Sequence, residues 1–372
     1  MERFAELLHG KFGFGCMRMQ TKENGEIDMD NFRAMVDCYL DAGFNYFDTA
    51  HPYFDGKSEL AIREGLTSRY PRERYVLTNK LSLFCFKEGK EEELQPFFDA
   101  QLSACGVEYF DFYLFHAMNE EYYAKFTEMH AFDFAKRLKA EGRIRHIGTS
   151  FHDKPEVLDK ILSEHPEIEI VQIQYNYLDL DDPNVQSAAC LEVCKKHDKP
   201  VLIMEPVKGG SLVFLPEQSL DVLRALNDGS PASLALRFAA EDENVVMVLS
   251  GVTTMEQMQE NVSFMKDLKP LSDEAHAALQ TVHDQIRALH LIECTACRYC
   301  TEGCPMQINI PGIFRCLNER TKFPGKQSSR YGWVTSKGGK ASDCIECGAC
   351  EEVCPQHLAI RDLLKDAVKQ FE

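Results

Sequence analysis

Between residue 10 and about residue 265, short apolar runs alternate with longer amphipathic stretches. The apolar runs have the length and bounding residues of strands. They are Phe12–Cys16, Phe44–Asp48, Tyr75–Lys80, Phe112–His116, Arg145–Ser150, Ile168–Gln172, Val201–Glu205 and Val245–Gly251. The stretches between them carry helical patterning, among them Asp30–Ala42, Ser58–Leu66, Glu91–Cys105, Tyr122–Glu141 and Asn184–His197. Gly43, Gly106 and Gly142 fall where three of these helices should stop. Strands alternating with helices imply parallel βαβ units. Eight such units in roughly 260 residues fit an α/β fold of the (β/α)8 TIM-barrel type. A doubly wound sheet is the alternative, and it wants Gly-x-Gly-x-x-Gly after a strand. Gly13-Phe14-Gly15 is followed by Arg18 where the third glycine belongs.

The pattern changes after the barrel region. Residues 266–290 read as a linking helix, with Pro270 and Ser272 near its start. Gly312–Glu319 and Leu358–Lys369 read as helices, and the Gly-, Ser- and Lys-rich stretch Phe323–Lys340 as a loop. The expected organisation is a barrel over 1–270, a linking helix over 271–290 and a small, mainly helical domain over 291–372.

That last domain contains two cysteine runs, Cys294-x-x-Cys297-x-x-Cys300-x-x-x-Cys304-Pro305 and Cys344-x-x-Cys347-x-x-Cys350-x-x-x-Cys354-Pro355. Three thiolates at every third residue wrap one face of a [4Fe–4S] cubane. In two-cluster ferredoxins the fourth, before proline, reaches the other cluster. The rule assigns one cluster to Cys294, Cys297, Cys300 and Cys354, and a second to Cys344, Cys347, Cys350 and Cys304. Zinc ribbons use two Cys-x-x-Cys pairs and do not match these triplets. The other seven cysteines (Cys16, Cys38, Cys85, Cys105, Cys190, Cys194, Cys316) show no disulfide framework.

Composition adds a few limits. Free thiols and clusters fit a reducing cytoplasm. The first residues lack a signal peptide's apolar stretch, and no apolar run approaches membrane-spanning length. A net charge of −18 argues against nucleic-acid or anionic-membrane partners.

Barrel active sites are built at the C-terminal ends of strands. Asp48, Lys80 and His116 close three successive strands, and Tyr53 lies in the loop after the first of them. Singly, each is more often a solvated or hydrogen-bonded residue than a catalytic one. Jointly they make an acid catalyst. A tyrosine hydroxyl can protonate a carbonyl oxygen, and an adjacent ammonium is expected to lower its pKa from the reference value near 10. A carboxylate keeps that ammonium charged and placed, and the imidazole orients the carbonyl.

The segments Gly43-Phe44-Asn45-Tyr46-Phe47-Asp48-Thr49-Ala50-x-x-Tyr53, Thr78-Asn79-Lys80 and Asp111-Phe112-Tyr113-Leu114-Phe115-His116 resemble the aldo/keto reductase superfamily. The whole chain resembles the subgroup of these reductases with a C-terminal ferredoxin-type domain. The resemblance implies NADP or NAD as cofactor and Tyr53 as general acid. It makes Asp48 and Lys80 the tuning pair and His116 the residue that orients the substrate. It also places Gly15, Met17 and Arg18 near the nicotinamide end of the cofactor, and Ser150 and Gln172 on its carboxamide. Pro206, Val207 and Lys208 fall beside the pyrophosphate, and Gly251, Thr253, Gln257 and Asn261 in the adenosine-phosphate segment.

Four positions depart from the family pattern: Phe151 replaces an asparagine, Met204 an aromatic, and Gly251 and Gln257 the residues that grip a 2′-phosphate. Lys208 and Arg18 could compensate by point-charge contact. The implied activity is reduction of an aldehyde, ketone or quinone. The alternative is an iron–sulfur electron-transfer protein, or a radical-type reductase, that uses the barrel as scaffold or substrate site. Three roles stay open for the clusters: structural staple, exchange with a redox partner protein, and single-electron delivery to the barrel site.

Overall fold

The computed structural model of the protein describes residues 4, 6–326 and 330–372. All eight expected strands form: β1 (Phe12–Gly15), β2 (Tyr46–Asp48), β3 (Val76–Leu81), β4 (Phe110–Met118), β5 (Ile144–Phe151), β6 (Ile170–Gln174), β7 (Val201–Met204) and β8 (Val245–Ser250). Each pairs in parallel with the next, and β8 pairs with β1. The sheet is therefore a closed barrel, and the doubly wound alternative falls.

Alternation along the strands decides what fills it. Tyr46, Val76, Phe112, Leu114, Ile170, Leu202, Met247 and Leu249 pack together in one buried cluster. The opposite strand faces, including Phe14, Phe47, Leu77, Tyr113, Ile147 and Val171, pack with helical residues such as Phe32, Leu102 and Leu138. Gly148 marks how tightly β5 packs: a Cβ there would stand 2.4 Å from Leu114 and 2.7 Å from Ile170. Gly43, Gly106 and Gly142 end their helices with φ of 98°, 67° and 73°, the left-handed conformation open to glycine without steric cost.

Several helix limits differ from the sequence reading. The stretch 122–141 is two helices, Glu120–Glu128 and Ala131–Ala140, because His130 adopts φ 53° between them. The helix expected from Asn184 starts at Ser187, after Gln186 at φ 47°. In both places a non-glycine left-handed residue breaks the helix, and patterning carries no signal for that. The linking helix is Asp273–Arg287, shorter than its expected span. The stretch expected to be a loop contains the helix Arg330–Thr335, with Tyr331 and Val334 buried. Apolar anchoring there overrides the Gly- and Lys-rich composition. Residues 327–329 of that stretch, and residues 1–3 and 5 of the apolar-poor start, lie outside the described residues.

By contacts the chain forms two compact units. One comprises Met1–Gly209 and Ala232–Ala275, the other Gly210–Pro231 and His276–Glu372. The core of the second unit gathers Ile308, Ile310, Ile313, Phe314, Leu317, Ile360 and Leu364. These come mainly from the helices Ile310–Lys322 and Ile360–Phe371. Among its described residues this unit has no strand. No helix among the described residues is long and apolar enough to cross a membrane.

Candidate functional site

Barrel closure brings Asp48, Lys80 and Tyr53 into one cluster. Asp48 ends β2, and Lys80 stands near the end of β3 with its side chain buried. Lys80 Nζ is 2.5 Å from Asp48 Oδ1 and donates to the Thr49 carbonyl at 3.0 Å and to Tyr53 Oη at 3.3 Å. Gln172 Nε2 donates to the other Asp48 oxygen at 3.1 Å. A buried ammonium needs this surround, because a buried charge that loses its partner costs about 3–5 kcal/mol. Tyr53 is half-buried on a short helical turn, Tyr53–Gly56, in which Phe54 and Asp55 have φ of 52° and 53°. Its ring meets the His116 ring edge-on, centroids 6.1 Å apart. All four expected residues thus share the mouth of the barrel.

The electrostatics differ from expectation at one point. Burial raises the Tyr53 phenol above its ordinary range. The Lys80 ammonium pulls it down and the Asp48 carboxylate pushes it up, so the net shift is upward rather than the expected lowering. Desolvation outweighs the single neighbouring cation. The Lys80 ammonium is itself held above its usual range: burial opposes the charge, but attraction to Asp48 and Tyr53 outweighs burial. His116 is driven well below the usual imidazole value by burial, then by Lys80 and His152. At neutral pH the site therefore contains a protonated phenol, an ammonium and a neutral imidazole.

Supporting residues to which the sequence reading gave no role surround this cluster. Ser82 Oγ lies 2.5 Å from His116 Nδ1 and is fully buried. Asn79 Oδ1 accepts from the Lys80 backbone N–H at 2.8 Å, and Asn79 Nδ2 donates to the buried Glu59 carboxylate at 2.8 Å. Glu59 in turn holds His51 Nδ1 at 2.8 Å, on the loop that carries Tyr53. Gln101 donates to Glu59, to Asn79 Oδ1 and to the Lys80 carbonyl. Ser82 alone had a sequence signal: it is two residues beyond Lys80, so strand alternation puts it on the same face.

The residues assigned to the cofactor fall into three groups. Ser150 and Gln172 are direct partners across β5 and β6. Ser150 Oγ accepts from the Ala117 N–H at 2.9 Å, next to His116. These two adjacent polar side chains fit the donor and acceptor demand of an amide. Gly15 ends β1, and Met17 and Arg18 follow it. Arg18 runs past Gly251, where a Cβ would come within 3.2 Å of its side chain, and its carbonyl accepts from Thr253 Oγ1 at 2.9 Å. Gln257 accepts from the Thr253 N–H at 2.8 Å and completes the cap of helix Met255–Met265, while Asn261 donates to Ser250 Oγ at 2.9 Å. Pro206, Val207 and Lys208 follow β7. Lys208 Nζ is 2.5 Å from the buried Asp179 carboxylate, so this cation is paired within the protein.

In the second unit the cysteines line two voids. One, of about 350 Å³ including the solvent it opens to, is bordered by Cys304, Cys344, Cys347 and Cys350. The other, of about 320 Å³, is bordered by Cys294, Cys297, Cys300 and Cys354. Each void gathers three cysteines of one run and the fourth of the other. None of the eight is in a disulfide. No group among the described residues is gathered tightly enough for a single metal ion. Four thiols spread round a void suit a larger cluster. Ala296, Arg298 and Gln307 in and just after one run, and Glu346, Gly348 and His357 in and just after the other, take positive φ at matching places. For non-glycine residues this costs about 1–2 kcal/mol each, a strain that collects where ligands are held. Gly338 and Gly339 let a neighbouring loop press on the segment just after the first cysteine run. Added Cβ atoms would lie 2.3 Å from the Gln307 carbonyl oxygen and 2.4 Å from that of Met306.

Two family profiles match the chain. The sequence profile of the aldo/keto reductase family matches residues 11–284, and that of a 4Fe-4S dicluster domain matches residues 293–359. The chain is 26% identical over 286 residues to the NADH-specific methylglyoxal reductase of Escherichia coli (strain K12), covering 64% of this chain and 84% of that protein. It is 24% identical over 282 residues to the L-galactose dehydrogenase of Arabidopsis thaliana, covering 70% and 85%. The solved structure of aldo-keto reductase AKR11C1 from Bacillus halodurans, in its holo form, superposes with a TM-score of 0.60 at 25% identity, over 74% of this chain and 92% of that one. An aldo-keto reductase from Klebsiella pneumoniae in complex with NADPH superposes with a TM-score of 0.59 at 20% identity, over 73% and 90%.

Proposed function

The chain belongs to the aldo/keto reductase family, and from that premise we propose that it is a nicotinamide-dependent carbonyl reductase acting through Asp48, Tyr53, Lys80 and His116. The observation that carries the proposal is the hydrogen-bonded chain Asp48–Lys80–Tyr53 at the barrel mouth. A reduced nicotinamide, when bound, supplies a hydride to the carbonyl carbon. Ser150 and Gln172 are suited to hold its carboxamide. Tyr53 gives its proton to the carbonyl oxygen, and the phenolate left behind is stabilised by the Lys80 ammonium at 3.3 Å and recovers a proton from water. Asp48 keeps Lys80 charged and in place. His116, neutral, orients the carbonyl oxygen by hydrogen bonding.

NADP and NAD both remain candidates. Gly251 and Gln257 offer no charge to a 2′-phosphate, and Lys208 is paired with Asp179, so discrimination should be weak. The methylglyoxal reductase among the relatives is named as NADH-specific, which favours neither loss of activity nor strict NADPH use here. The substrate class is a small aldehyde, ketone or quinone.

The 291–372 region is proposed to hold two [4Fe–4S] clusters, one in each cysteine-lined void, with 1–270 as the barrel domain and 271–290 linking them. The thiol sets fit cubanes in number and arrangement. Hydride transfer moves two electrons and a cubane takes one, so the clusters serve as folding staples, as a contact for a redox partner, or both. A panel of aldehydes, ketones and quinones, assayed without oxygen with NADH and with NADPH, tests the proposal. Carbonyl-dependent nucleotide oxidation is expected, and its absence across the panel would count against it.

A further inference from the structure

We infer that Ser82 is a positioning residue that fixes the tautomer of His116, so that Nε2 carries the proton and faces the substrate as a donor. This rests on the carbonyl-reductase reading for its consequence, not for its geometry. Ser82 follows β3 directly, is fully buried, and has its Oγ 2.5 Å from His116 Nδ1. A neutral imidazole has one N–H, and two arrangements satisfy that contact. In the first, the serine hydroxyl donates to Nδ1 and the imidazole proton sits on Nε2. In the second, Nδ1–H donates to Oγ and the hydroxyl proton must find another acceptor. Among the described residues Ser82 Oγ has no second hydrogen-bond partner. The second arrangement would therefore bury an unsatisfied O–H, which the first avoids.

The imidazole has little other choice of charge. Burial and the nearby Lys80 ammonium oppose a second proton. The Phe84 ring, 5.2 Å away, and the Tyr53 ring, 6.1 Å away, pack against it. With Nε2–H outward, the site offers a carbonyl oxygen two donors, the Tyr53 hydroxyl and the His116 N–H. Without Ser82, His116 can hold its proton on Nδ1. Nε2 would then turn a lone pair toward the substrate oxygen.

The test is the imidazole ¹⁵N spectrum of full-length, histidine-labelled protein, with the His116 signals identified by their loss in His116→Gln. The resting wild type should show the Nε2–H form. Ser82→Ala should show a mixture or the Nδ1–H form, with kcat for carbonyl reduction down about tenfold and nucleotide affinity unchanged. Ser82→Thr, which restores the hydroxyl, should recover both. An Nδ1–H signal in the wild type, or an unchanged tautomer in Ser82→Ala, overturns the inference. If wild type shows Nε2–H and Ser82→Ala loses it, while neither reduces any carbonyl, the tautomer assignment stands and the reductase reading fails.

Discussion

At the scale of single residues, the proposed chemistry depends on protonation states that burial sets. The phenol of Tyr53 is raised above its ordinary value of 10.0 and the His116 imidazole lies well below 6.5. Reduction requires the protonated phenol. The rate of carbonyl reduction should therefore be flat through neutral pH, fall only on the alkaline side, and show no limb near 6.5 from His116. A pH–kcat/KM profile checks this, and a midpoint near neutrality would mean that the phenol is lowered after all. Cofactor choice also belongs at this scale. A charge-assisted contact to phosphate contributes about 1.5–3 kcal/mol, and Lys208 is already paired with Asp179. NADH and NADPH should bind with comparable affinity by fluorescence titration. A hundredfold preference for NADPH would point to Arg18 or another base. The four catalytic candidates were legible because each lies near a strand end: Asp48 closes β2, Tyr53 is in the loop after it, and Lys80 and His116, expected to close their strands, stand one and two residues before the ends of β3 and β4. The Lys208–Asp179 pair and the Glu59–Asn79–Gln101 network were not, because their partners come together only through the fold.

At the scale of elements, the barrel strands were legible as alternating apolar runs, and the closing residues of the helices as glycines. The break at His130 was hidden because a non-glycine residue takes the left-handed conformation there. The helix Arg330–Thr335 was hidden because its composition resembles a loop, while Tyr331 and Val334 anchor it. Packing inside the barrel gives a direct prediction. An added methyl at Gly148 would meet Leu114 and Ile170 within 2.7 Å. Gly148→Ala should destabilise the protein by about 1–3 kcal/mol, the usual penalty for overpacking a filled core. Denaturant titration measures it, and an unchanged midpoint would mean that β4 and β6 can yield.

For the molecule as a whole, the family assignment joins a reductase barrel to a dicluster region. The spacing of the cysteines made the two sets legible, and each void in the second unit is lined by three cysteines of one run and one of the other. Anaerobically purified protein should contain about eight irons. Cys304→Ser should damage the cluster assigned to Cys344, Cys347 and Cys350 and leave the one assigned to Cys294, Cys297, Cys300 and Cys354. Iron analysis with electron paramagnetic resonance of the reduced protein distinguishes the two. Loss of the sequence-nearer cluster instead would reverse the crossed assignment.

The most direct test of the reductase reading is a single-turnover experiment without oxygen. Wild type and Tyr53→Phe are loaded with reduced nicotinamide and mixed with a carbonyl that the wild type reduces. The expected result is unchanged nucleotide binding in the variant, with the absorbance of the reduced nucleotide decaying about 100- to 10,000-fold more slowly, the usual cost of losing a general acid. Decay at the wild-type rate in Tyr53→Phe would contradict the proposed role of this site.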